Sequence, residues 1–182
     1  MFKPLVTVVG ITSLCEGKPR QFGDNKHLFM YDFDETPKEL VFEEAERLSK
    51  KWGIDIYVLR SSSRDSPYNG YKESLHMVSF DILPWRMVQS IQADVRLEND
   101  YPLINERNFD KFLTLRISNK GKKKPPVFVK AFVGSSNYRR NKSLQHYLLY
   151  QEICKIPPAP EWYKWQNVEL FFALYQTSHG VD

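Results

Sequence analysis

The 182-residue chain has only two cysteines, Cys15 and Cys154, and neither belongs to a metal-ligand spacing. That excludes a zinc ribbon or finger, and it excludes a disulfide framework as the source of stability. No apolar run approaches the roughly 18 residues a membrane-spanning helix needs. No secretory signal precedes the first strand-like stretch, so the expectation is a reduced, cytoplasmic protein without a membrane partner. There is no internal repeat and no low-complexity tract. Charge of one sign is also scarce: 26 basic residues against 22 acidic leave +4, a mild bias compatible with nucleic acid.

What is present is apolar and aromatic. Hydrophobic residues make up 42% of the chain and aromatics 14%, a globular composition. The length suits one domain with a real core, spanning residues 1–182. The most informative stretch is residues 27–36, HLFMYDFDET. Its four apolar or aromatic residues run into Asp32 and Asp34, which reads as a buried strand ending in two acids. Alternation along a strand would point both carboxylates the same way, about 7 Å apart at the backbone. Desolvating such a pair is unfavourable unless a cation or hydrogen-bond donors meet it, and hard divalent ions such as Mg²⁺ or Mn²⁺ suit carboxylate oxygens. The plainer alternative is that both acids open a turn and cap the next helix.

Residues 5–12 are β-branched and strand-like. Residues 37–52 place Leu40, Val41, Ala45, Leu48 and Trp52 on a helical stripe, with Thr36 as N-cap, Pro37 in the first position and Gly53 at the stop. A strand at 54–59 then closes a β-α-β unit, whose two strands are expected to be parallel and adjacent. The polar segment 60–74 reads as a loop. Its Ser63 and Arg64 suit a phosphate, although any exposed turn has this composition. In the strand that follows, Ser74 and His76 share a face; a histidine there is either a ligand-facing group or a hydrogen-bonded core residue. A second helix is expected over 84–95. Strands at 110–118 and 127–133 are expected to pair as a hairpin with Lys120, Lys122, Lys123 and Lys124 at its tip. Arg139, Arg140 and Lys142 form a second basic cluster beside Tyr138, which is either solvated surface or a path for phosphates. A short helix follows at 144–154, and the aromatic segment 161–176 is expected to pack on the core.

The order strand with D-x-D, helix, strand, polar loop, S-x-H strand, helix, acid, then L-R-I-S resembles the archaeo-eukaryotic primase superfamily. The matching residues are Asp32 and Asp34 in MYDFDE, Ser74 and His76 in ESLHMV, and Asp110 with Arg116 in DKFLTLRIS, within residues 28–130. The resemblance implies an α+β fold with a mixed sheet and flanking helices, an RRM-like catalytic core. It implies that Asp32, Asp34 and Asp110 hold two divalent ions, Mg²⁺ or Mn²⁺. Ser74, His76 and Arg116, with Ser63 and Arg64, would bind a nucleoside triphosphate. The basic residues Lys120, Lys122, Lys123, Lys124, Arg139 and Arg140 would take a DNA or RNA template or primer, alongside other replication proteins. The implied activity is nucleotidyl transfer onto a 3′-hydroxyl. The chain departs from larger primases in lacking a Cys/His zinc set and a helical accessory domain.

The same D-F-D-E-T is similar to the nucleophile loop of haloacid-dehalogenase-like phosphatases, with Asp32 as nucleophile, Asp34 as acid/base and Ser61 as second motif. The late strand ending in paired acids is missing from that pattern. A non-catalytic nucleic-acid-binding replication module with the same fold is the third reading.

Overall fold

A computed structural model describes residues 10–16, 25–66, 70–97, 114–118, 124–134 and 141–157, the side chains of 62–66 and 70–72 excepted. In chain order the strands are β1 (Gly10–Thr12), β2 (Leu14–Glu16), β3 (Lys26–His27), β4 (Met30–Phe33), β5 (Ile56–Ser66), β6 (Gly70–Val78), β7 (Leu83–Pro84), β8 (Thr114–Arg116) and β9 (Val127–Phe132). The helices are α1 (Lys38–Trp52), α2 (Trp85–Ala93) and α3 (Leu144–Cys154). The fold is α+β, and no helix among the described residues is long and apolar enough to cross a membrane.

The principal sheet has the order β4-β6-β5-β9, and every ladder in it is antiparallel. The strands β4 and β5 therefore run parallel to one another, as expected, but they are not adjacent. The strand β6 lies between them, so α1 crosses over an intervening strand. This corrects both the expected adjacency and the expected mixed pairing. Two smaller sheets, β1-β8 and β2-β3-β7, account for the other strands among the described residues.

The polar segment 60–74 is not a loop over its described residues. β5 continues through Ser66 and pairs residue by residue with β6, from Ser62 opposite Ser74 to Ser66 opposite Gly70. Its backbone enters a ladder, so Ser63 and Arg64 lie on a strand and not on the loop expected. The strands β8 and β9 are likewise not a hairpin: β8 pairs with β1, and β9 with β5. The basic residues at 120–123 and at 139–140, the acid Asp110 and the segment 161–176 lie outside the described residues.

α1 forms where the apolar stripe was expected, and Val41, Ala45 and Leu48 are fully buried beneath it. Leu40 is instead exposed. Gly53 ends the helix in the left-handed region (φ 61°), a conformation glycine adopts without a Cβ clash. Thr36 is not the cap: Pro37 occupies that position, and the Thr36 hydroxyl donates to the Asp34 carbonyl. Packing Phe42 against Phe132 puts α1 on the sheet face that bears Tyr31, Phe33 and Val58. α3 covers the other face, where Tyr147 meets Tyr57 and Phe80, and Tyr150 meets Phe80. Burying each such aromatic contributes on the order of 2–3 kcal/mol. Gly134 passes so close to the backbone of Gly53 and Ile54 that a Cβ would sit 2.6 Å from a backbone carbon.

Candidate active site

The site is assembled by strand register. Asp32 on β4 stands directly opposite His76 on β6, and His76 in turn opposes Leu59 on β5. Directly opposed residues share a face, so Asp32, His76, Ser74 and Leu59 all lie on the α3 side of the sheet. The His76 side chain is 4% exposed, with Nε2 3.4 Å from Asp32 Oδ1. Burial, with the positive Arg116 nearby, pushes its pKa down to about 3, so the ring is neutral at pH 7. The Asp32 side chain stays 28% exposed at the end of its strand.

Arg116 reaches this face from the small β1-β8 sheet. Its Nη1 donates to the carbonyls of Ser118 and Lys124, and its Nη2 donates to the Ser61 carbonyl at 2.6 Å. Ser61 offers that carbonyl because it is a bulge residue: Arg60 opposes Leu75 while Ser62 opposes Ser74, leaving Ser61 unmatched in the ladder. The Ser61 hydroxyl is buried and donates to the Ser74 carbonyl. The Arg116 charge acts on Asp32, His76 and the Cys154 thiol, whose pKa burial pushes up to about 12.

No family model, curated protein or solved structure matches the chain. The reading of the site therefore rests on its own geometry.

Four of the expected residues, Asp32, Ser74, His76 and Arg116, come together on one face. Asp34 does not continue the strand. β4 ends at Phe33, Asp34 lies exposed on the following bend, and Glu35 takes a positive φ of 53°. Simple alternation therefore no longer sets its direction. Among the described residues, no group of three or more His, Cys, Asp or Glu side chains stands together as a metal-holding set. Lys124 is exposed at the approach to β9.

Lys142, read as part of a basic cluster, has a different position. Its ammonium lies 2.7 Å from Asp55 Oδ2 and 2.9 Å from Asp81 Oδ1, and only 12% of its side chain is exposed. Asp81 also accepts from the Asp55 amide and the Ser79 hydroxyl, and Asp55 accepts from the Gly134 amide. Charge counting along the sequence offered no sign of this pairing. The Tyr147 and Tyr150 pair was legible in principle, since residues three apart share a helix face.

Proposed function

We propose that the protein is a nucleotidyltransferase of the primase/polymerase type, using Asp32 and Asp34 on a divalent-cation site and taking a nucleoside triphosphate and a nucleic-acid 3′-hydroxyl as substrates. The observation that carries the reading is the juxtaposition of Asp32 and His76 across β4 and β6, with Arg116 beside them. Asp32, His76 and Arg116 come from segments forty or more residues apart in sequence, yet they meet on one sheet face. The split arrangement β4-β6-β5, with α1 crossing over β6, agrees with an RRM-like core.

Asp32 near the end of β4 and Asp34 on the exposed bend after it offer hard carboxylate oxygens, donor chemistry that fits Mg²⁺ or Mn²⁺. The proposed third ligand is Asp110. With Asp110 these acids would hold two divalent ions, which would supply Lewis-acid activation of the attacking hydroxyl and charge neutralisation at the leaving pyrophosphate. Arg116, fixed by three backbone carbonyls, places a positive charge beside Asp32 without needing to reorganise. Ser74, Ser63 and Arg64 remain proposed contacts to the nucleotide, and the basic residues 120–124 and 139–140 to the template.

The phosphatase alternative is less well supported by the same geometry. It reads Ser61 as a group at the end of the strand next to that of Asp32. Here Ser61 lies within the β5–β6 hairpin, its hydroxyl is occupied by Ser74, and β6 intervenes.

The test is extension of a labelled primer on a template with nucleoside triphosphates and Mn²⁺ or Mg²⁺. Wild type is expected to lengthen the primer, and Asp32→Asn to lower the rate by at least about 100-fold, the scale on which such preorganised charge acts. Asp32-dependent hydrolysis of a phosphate monoester, with no extension, would instead establish the phosphatase.

A further inference from the structure

His76 meets the acid site through one atom. With 3% of the residue exposed, the ring presents almost no surface to a bound triphosphate. Its Nε2 lies 3.4 Å from Asp32 Oδ1, a close approach that falls short of a formed hydrogen bond, and its Nδ1 is buried with no hydrogen-bond partner among the described residues. A neutral imidazole carries one N–H, and the carboxylate is the acceptor that one nitrogen faces. The ring is also held in place from both sides. Its backbone is paired to Asp32 on β4 and to Leu59 on β5, so neither strand can shift without breaking a ladder.

We propose that His76 is a positioning residue for Asp32: its Nε2–H, set 3.4 Å from Oδ1, closes to a hydrogen bond when Asp32 meets a divalent cation and so fixes the carboxylate plane. This rests on the reading of Asp32 as a cation-holding carboxylate. It reassigns His76 from the nucleotide phosphates, where the sequence motif puts it, to the carboxylate beside it. Outer partners of this kind tune a ligand's orientation and basicity, and their loss typically weakens metal affinity 10- to 100-fold. The triphosphate then depends on His76 only through the cation.

The test uses Mn²⁺ alone as the probe, with free ion counted by electron paramagnetic resonance during titration of the full chain. Wild type, His76→Gln, His76→Leu and Asp32→Asn are compared, with melting curves alongside. The expected result is a 10- to 100-fold weaker Mn²⁺ affinity in His76→Leu and recovery of most of it in His76→Gln, whose amide restores a donor. Binding of nucleoside triphosphate without metal is expected to be unchanged in both. Wild-type Mn²⁺ affinity in His76→Leu, with loss in Asp32→Asn, overturns the positioning role and leaves the assignment of Asp32 standing. Undiminished affinity in Asp32→Asn overturns both. Ring ¹⁵N spectra of the wild-type protein supply a check that no variant's folding can obscure. The Nε2–H tautomer is expected, and the Nδ1–H tautomer sinks the proposal.

Discussion

Asp81 and Lys142 meet twice: their backbones form an isolated antiparallel bridge, and their side chains an ion pair of 2.9 Å. Asp55 closes the group, so one ammonium serves two carboxylates at the end of the principal sheet. Removing it leaves both acids enclosed without a counter-charge. Lys142→Met is expected to destabilise the fold by about 3–5 kcal/mol, since breaking a buried pair costs more than the pair contributes. Thermal melting should show a drop on the order of 10 °C. A variant that melts within a degree or two of wild type would mean water reaches the acids freely.

Arg116 holds three segments with one planar fork. Lysine is a point donor and cannot span the carbonyls of Ser61, Ser118 and Lys124 together. Arg116→Lys is expected to lower stability by about 2–4 kcal/mol, because hydrogen bonds to a charged group are each worth roughly 1.5–3 kcal/mol and do not simply add. Denaturant midpoints measure it, and amide exchange at residues 114–118 should quicken in the variant.

His27 sets a pH dependence. It is 5% exposed, packs on Trp85 at 4.6 Å between ring centroids, and contacts the Ser13 hydroxyl through Nδ1. Burial lowers its pKa to about 4. Below about 6.5 the unfolded chain takes up a proton that the folded protein refuses until about pH 4. Folding stability should therefore fall as pH falls through that window, by up to about 1.4 kcal/mol per unit for this one group, and the group adds no slope above it. His27→Gln is expected to cost less stability at pH 4.5 than at pH 7.5, by about 2 kcal/mol, in paired denaturant titrations. An equal cost at both values would show that the ring is not held neutral.

The basic segment Lys120, Lys122, Lys123 and Lys124 carries the proposed template contact. Each phosphate neutralised on a single strand contributes about 0.7 to the slope of log affinity against log salt. Replacing all four with glutamine is expected to reduce that slope by about 2–3 while leaving the melting temperature within about 2 °C, as for ordinary surface changes. Fluorescence anisotropy of a labelled single strand between 50 and 200 mM salt, about the range over which this effect is large, measures it. An unchanged slope would assign these lysines to plain solvated surface.

Much of the local structure was legible in the sequence. Periodicity of 3.6 with Pro37 and Gly53 marked α1 almost to the residue, and the stretch from Leu144 to Cys154 is the helix expected there. The apolar run into Asp32 marked a buried strand with an acid at its end, and period two placed Ser74 and His76 on one face. These are properties of neighbours along the chain, and side-chain periodicity reports them directly. Which strand lies beside which was decided only in three dimensions. The hairpin of β5 and β6 is polar along much of its length, so it carries no hydrophobic alternation to distinguish a ladder from a loop. Placing β6 between β4 and β5 depends on burying both faces of the sheet under α1 and α3, and no local pattern encodes that choice. The same long-range pairing sets His76 against Asp32 and brings the Ser61 bulge to Arg116. It also turns Lys142 from an apparent surface cation into the partner of two acids, because the field a charge feels comes from residues close in space, not in sequence.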